Sequence, residues 1–200
     1  MGKKIKIMPK FRSLVTKFIF ISLIVLTFIG IYIYSDFRFT QHMKGAATAI
    51  NLAGKLRYRS FEMAWLVKTL IGKPDPKTRK FIIEELKEDI SEFEKTIIDF
   101  RNGNEELHIK PIARYKDSLL IFNKMSDEWN SIFKPTLLSI TQLPENTSEE
   151  TLKILADKYN LRVYEYVYEV IDKFVTSLET HYKMEIKRFD ILRFYIFGFF

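Results

Sequence analysis

Apolar residues are distributed along this chain in three regimes. The first is an unbroken run from Phe18 to Tyr34, FIFISLIVLTFIGIYIY, with no charged residue in it. Leu14–Thr16 and Ser35 extend it, with Lys17 as the single interruption, close to the roughly 20 residues that a helix needs to cross a bilayer. Tyr32 and Tyr34 suit the headgroup level, where a ring can be half wet. Basic residues crowd before the run and mixed charge follows it, so the positive-inside tendency puts residues 1–13 in the cytoplasm and residue 36 onward outside. A cleaved signal peptide would have a shorter apolar region and a small-x-small site after it. This run is longer and ends in IYIYSDF, so a retained transmembrane helix over 14–35 is expected. The second regime lies at the other end. Phe194–Phe200 reads FYIFGFF, too short to span, and 191–200 is expected to be the incomplete start of a second membrane helix. A short hydrophobic tail is the alternative.

The third regime fills 36–190, where the apolar positions recur at helical spacing. Leu86, Ile90, Phe93, Ile97 and Phe100 step by four and three. So do Leu119, Phe122, Met125 and Trp129, and again Val163, Val167, Val170, Phe174 and Leu178. Such stripes predict the buried faces of amphipathic helices, and no run alternates at period two for long enough to compete. Turn signals fall at Gly72-Lys73-Pro74-Asp75-Pro76, at Asn102-Gly103-Asn104 with Pro111 after it, and at Leu143-Pro144-Glu145-Asn146. Asp75 is placed to cap, Pro76 fits a first helical position, and Thr147 with Glu150 forms a capping-box pattern. Pro135 is expected to kink the third segment. The prediction is an all-α, membrane-anchored, antiparallel four-helix bundle of up-down-up-down order, with helices at about 36–72, 76–101, 111–142 and 148–190. The first is about 55 Å long and the last about 63 Å, each continuous with a membrane helix.

Composition narrows the function. With 47% hydrophobic and 28% charged residues, and only 7 Gly and 6 Pro in 200, the chain is neither disordered nor a linker or collagen-like repeat. It has no cysteine, which excludes disulfides, thiolate zinc sites and a cysteine nucleophile. His42, His108 and His181 have no ligand spacing, so neither metal nor cofactor is expected. The net charge of +7 is an end effect. Lys3, Lys4, Lys6, Lys10, Arg12, Lys17 and Arg193 lie outside the central region, whose 25 basic residues balance all 25 acidic ones. A nucleic-acid partner is not expected, because such binders concentrate basic charge on the folded domain. No nucleophile–base pair or phosphate loop suggests an enzyme, and no catalytic residue is assigned.

One stretch departs from ordinary bundle patterning. On a helical wheel Ile50, Ala53, Gly54, Phe61 and Ala64 lie within about 60° of Arg57, whereas Lys55, Arg59 and Glu62 lie about 140–200° away. Arg57 therefore sits in a small, apolar stripe, where a guanidinium needs a partner. An acid on a neighbouring helix is one option. The other is an exogenous anion, for which Gly54 and Ala53 leave room. If two copies met along this helix, their Arg57 side chains would converge, and a small planar oxyanion between them would relieve the repulsion. Lys55, Arg59 and Glu62 are expected to be solvated or paired.

Ile50-Asn51-x-Ala53-Gly54-x-Leu56-Arg57-x-x-Ser60 resembles the box in the periplasmic domain of nitrate/nitrite sensor histidine kinases, and the same style of box recurs in type IV pilus methyl-accepting chemotaxis transducers. Leu86-x-x-Asp89-Ile90-x-x-Phe93-Glu94, then Arg101-Asn102-Gly103 and Trp129, is similar to their second and third helices. Tyr166-Val167-x-x-Val170-Ile171-Asp172-x-x-Val175 resembles their fourth-helix box. The resemblance implies that Arg57 binds nitrate, paired with its copy across a homodimer, that Gly54 belongs to the same site, and that Val170, Ile171 and Asp172 form a signalling or structural box. Ala53, which adds room beside them, is the third candidate ligand-binding residue, with nitrate or nitrite the expected anion. It implies a bacterial inner-membrane location with 36–190 periplasmic. It also implies a two-component role in which a response regulator is reached only through a cytoplasmic module outside this chain. The kinases have Ser, Met, Gln and Arg where this chain has Lys55, Tyr58, Arg59 and Glu62. The expected function is the oxyanion-sensing input region of a transmembrane signalling receptor. The alternative is a membrane-anchored helical interaction module with no small ligand.

Overall fold

The computed structural model describes residues 14–197, with side chains to residue 195. The expected cytoplasmic N-terminus at 1–13 and the last residues of the expected second membrane segment, 198–200, lie outside the described residues. The chain divides into two compact units, one ending at Met43 and one beginning at Lys44.

Within the first unit the described residues belong to α1 (Leu14–Ile71). Its most apolar 18-residue window has a mean hydropathy of 2.5 and none of it is buried. Phe18, Ile21, Leu26 and Ile33 all face outward. A helix apolar on every side and unburied is suited to lipid rather than to a protein core.

The second unit is a four-rod bundle. From residue 44 α1 supplies the first rod. The second is α2 (Pro76–Asn102). The third is α3 (Lys116–Glu128), a π-helical turn at Trp129–Phe133 and α4 (Lys134–Thr141). The fourth is α5 (Glu149–Tyr166), a second π turn at Val167–Ile171 and α6 (Asp172–Phe197). No strand is present among the described residues.

Cross-rod contacts fix the directions. Arg57 meets Asp172 while Lys73 meets Glu149, so the first and fourth rods are antiparallel. Phe93 stacks on Trp129 with centroids 3.9 Å apart, and Phe100 meets Phe122 at 6.3 Å. Ser118 and Ser177 share a hydrogen bond of 2.7 Å, and Phe133 stacks on Tyr166 at 4.3 Å. The order is up-down-up-down, as the short connections require.

The predicted stripes form the core, apart from Leu119, which is half-buried. Leu86, Ile90, Phe93, Ile97 and Phe100 are buried, as are Val163, Val167, Val170, Phe174 and Leu178. Polar groups inside the bundle bridge rods through main-chain oxygens. Tyr159 donates its hydroxyl to the Ser60 carbonyl at 3.0 Å, and Tyr166 donates to the Met125 carbonyl at 2.9 Å. Buried Arg79 donates to the carbonyls of Leu143 and Pro144 at 3.1 and 3.2 Å, which ties the third connection to α2.

Helix ends follow local chemistry, with three departures. Asp75 caps α2 as expected, accepting from the Lys77 and Thr78 amides, with Pro76 at the first position. The third rod starts at Lys116 rather than 111. Gly103 turns the chain at φ 82° and Asn104 bridges to Ile109. Pro111 then leads only into a single 3₁₀ turn, Ile112–Arg114, before Tyr115 leaves helical geometry. The cap of α5 is Ser148, whose side chain accepts from the Thr151 amide, while Thr147 donates its hydroxyl to the Pro144 carbonyl. Finally, the third rod answers Pro135 with the π turn over the residues just before it, since proline offers no amide to the helical ladder.

Candidate functional site

The buried seam of α1 runs Ala46, Ala49, Ala53, Leu56, Ser60, Met63, Val67 and Leu70. Steps of three and four residues give the 3.5-residue period of a packed bundle seam. Arg57 is one residue past Leu56, about 100° round the helix. The stripe of Ile50, Gly54, Phe61 and Ala64 is half-buried at the margin of the bundle, and the Arg57 side chain is 44% exposed. Ala53 belongs to both stripes and is fully buried in the core.

Arg57 donates from Nη1 to Asp172 Oδ1 at 3.0 Å, with the Asp172 side chain 29% exposed. The structure thus joins the first-rod and fourth-rod boxes through one pair within a single chain. Asp172 is the first residue after the π turn Val167–Ile171. Its box neighbours Val170 and Ile171 are buried in the core. A methyl placed on Gly54 would lie 3.6 Å from Arg57 Nη2, so the guanidinium lies over the glycine. The remaining guanidinium hydrogens have no partner among the described residues, and a guanidinium carries five donors in a planar fork.

Two grooves open on this unit, and Asp172 lines the second of them. One, of about 880 Å³ between α1 and α5, is lined by Phe61, Trp65, Tyr164 and Tyr168 with Lys68 and Lys153 at its edge. Phe61 and Tyr164 have centroids 5.3 Å apart. The other, of about 720 Å³, runs along α6 from Asp172 to Arg188, facing Arg114 and Lys116.

On the far side of α1, Arg59 takes the paired one of the two expected states. It donates to Asp89 Oδ1 of α2 and lies 3.7 Å from Glu92. In the sequence Asp89 figures only as part of the second-helix resemblance, with no role of its own, yet its place between Leu86 and Phe93 puts it on the core-facing stripe of α2. Burial and the neighbouring Glu62 push its carboxyl up to about 6, against the pull of Arg59. Among the described residues no cluster of His, Cys, Asp or Glu could hold a metal ion.

The described residues thus form a helical bundle preceded by an apolar helix, with arginine–carboxylate pairs between its rods. The chain belongs to the PilJ family, the N-terminal region of type IV pili methyl-accepting chemotaxis transducers, whose family model matches residues 39–157. It is therefore the sensory, signal-transducing part of a membrane-anchored transducer. The match includes Ala53, Gly54, Arg57 and Asp89, and ends before Val170, Ile171 and Asp172. No curated protein and no solved structure matches the chain.

Proposed function

We propose that this input region binds a small oxyanion, nitrate or nitrite first, at Arg57, with the Arg57 of a second copy completing the site on an extracytoplasmic face. The observation that carries the reading is the half-exposed Arg57 guanidinium lying over Gly54 with one of its hydrogens committed to Asp172. In this reading Asp172 is an internal competitor: the anion takes the guanidinium from it, and α1 is freed to move against α6. Binding shifts the equilibrium only by the difference in affinity between the two arrangements. An exposed ion pair is worth about 0–1 kcal/mol, so an anion with two arginines to itself can displace the carboxylate.

Calorimetry on the full chain in detergent tests this with nitrate and nitrite. Arg57→Ala should weaken binding about tenfold or more, the loss of a charge-assisted hydrogen bond. Asp172→Asn should tighten it several-fold. Unchanged affinity in the Arg57→Ala variant overturns the reading. One observation favours a second reading, an interaction module without a small ligand: Arg57 already has a carboxylate of its own chain. In that case neither anion binds, and Arg57→Ala and Asp172→Asn alter only stability.

A further inference from the structure

We propose that Asp89 is a proton-binding switch: ionised, it fastens α1 to α2 through Arg59, and protonated, it lets Arg59 go. The Asp89 side chain is 8% exposed. Its Oδ1 accepts from Arg59, and its Oδ2 is fully buried with no hydrogen-bond partner. A buried carboxylate oxygen without a donor favours the protonated form, because the charged form loses far more hydration on burial than the neutral one.

Of the groups around Asp89, Glu62 and Glu85 add to that bias and Arg59 opposes it. From α1 come Arg59, Glu62 and Tyr58, the last donating its hydroxyl to Glu62 at 3.0 Å. From α2 come Glu85 and Glu92. From the fourth rod comes Tyr159, fully buried and tied to the Ser60 carbonyl. Arg59 is the one cation in contact with Asp89 among the described residues, set against four carboxylates of which Asp89 is the most buried, while Lys95, 3.9 Å from Glu92, partly neutralises one of them. When Asp89 gains a proton, its attraction for the guanidinium falls, and Glu92, 3.7 Å from Arg59 Nη2, is within reach as the alternative anion. Burial and Glu62 raise the Asp89 carboxyl to about 6, so it passes from mostly ionised at pH 7.5 to mostly protonated at pH 5.

The consequence is a clamp on α1 that responds to proton concentration. It lies about 200° round α1 from Arg57, so it does not depend on the anion reading and operates with no anion added. Aromatic and apolar packing on both sides, Phe93 on Trp129 and Leu56 in the seam, keeps the rods together when the clamp opens. The change is therefore a slackening between two rods, not an unfolding.

Because the chain has no cysteine, Lys55→Cys on α1 and Ser91→Cys on α2, both exposed, would be the only sites for two spin labels. In the full chain in nanodiscs, without added anion, dipolar EPR should show the α1–α2 distance distribution shifting between pH 7.5 and 5 with a midpoint near 6. Asp89→Asn should hold the low-pH distribution at both values. Arg59→Gln should also hold it, while carboxyl-carbon NMR shows the Asp89 midpoint moving upward, since the cation that favours ionisation is gone. A wild-type distribution that does not change with pH, an Asp89→Asn chain that still responds, or an Arg59→Gln midpoint that stays put or falls would overturn the switch.

Discussion

Gly45 and Gly54 lie on one helix, and replacing each by alanine should move stability in opposite directions. Helix propensity alone predicts that both changes stabilise, since an interior glycine costs about 0.5–1 kcal/mol relative to alanine. Packing separates them. A methyl on Gly45 would overlap the carbonyl oxygen of His108, with the His108 carbonyl carbon at 3.0 Å and its Cβ at 3.2 Å. Those atoms are mostly backbone, in the segment pinned by the Asn104–Ile109 bridge and by the Gly103 amide on the Asp99 carbonyl. They cannot rotate aside, so the segment or the helix must retreat. Such overpacking costs about 1–3 kcal/mol and sometimes more, which exceeds the propensity gain. A methyl on Gly54 meets only Arg57 Nη2 at 3.6 Å, an ordinary contact with a flexible group. Gly54→Ala should therefore stabilise the anion-free chain by up to about 1 kcal/mol. At about 2–4 °C per kcal/mol for a domain of this size, thermal melts of the bundle followed by circular dichroism should place Gly45→Ala below the wild type and Gly54→Ala at or above it. A Gly45→Ala variant that melts higher than wild type would refute the close approach of His108 to α1.

Three further outcomes follow from particular contacts. The Asp89 carboxyl is raised in the folded chain, to about 6 from an ordinary 3.8. The folded state therefore holds that proton more tightly than the unfolded one, and the stability it contributes is present at low pH and lost as pH rises through 6. The difference between wild type and Asp89→Asn in urea unfolding should thus change between pH 4 and pH 7 by at most about 3 kcal/mol, and a flat difference would contradict the burial of Asp89. Phe93→Ala removes the ring stacked on Trp129 from a fully buried layer, and should cost about 3–5 kcal/mol in the same assay. Asp75→Ala removes the cap that accepts from the Lys77 and Thr78 amides, and should cost about 0.5–2 kcal/mol, with faster hydrogen exchange confined to the first turn of α2.

What the sequence determined by itself is what local rules govern. The all-α class, the number and order of the rods, the apolar N-terminal segment, the three connections, the Asp75 cap and the core faces of α2 and the fourth rod could all be read from spacing, because helical periodicity repeats within a turn or two of chain. The α1 seam was nearly legible as well: Ala46, Ala49, Ala53, Leu56, Ser60, Met63, Val67 and Leu70 keep the 3.5-residue period, but Ala53 also fits the stripe through Arg57, and small residues discriminate weakly between two faces. Tertiary structure decided which arginine goes where. Rotating α1 by about 100°, one residue, exchanges a half-exposed Arg57 on Asp172 for a core position. That rotation is set by the three other rods packing together, which no single segment encodes. The partners of Arg57 and Arg59 lie 115 and 30 residues away, so their identity depends on the stagger of antiparallel rods. The two π turns and the start of the third rod at Lys116 are likewise settlements between local ladders and the bundle, which accepts an irregular turn to keep Trp129, Phe133, Val167 and Ile171 in its core.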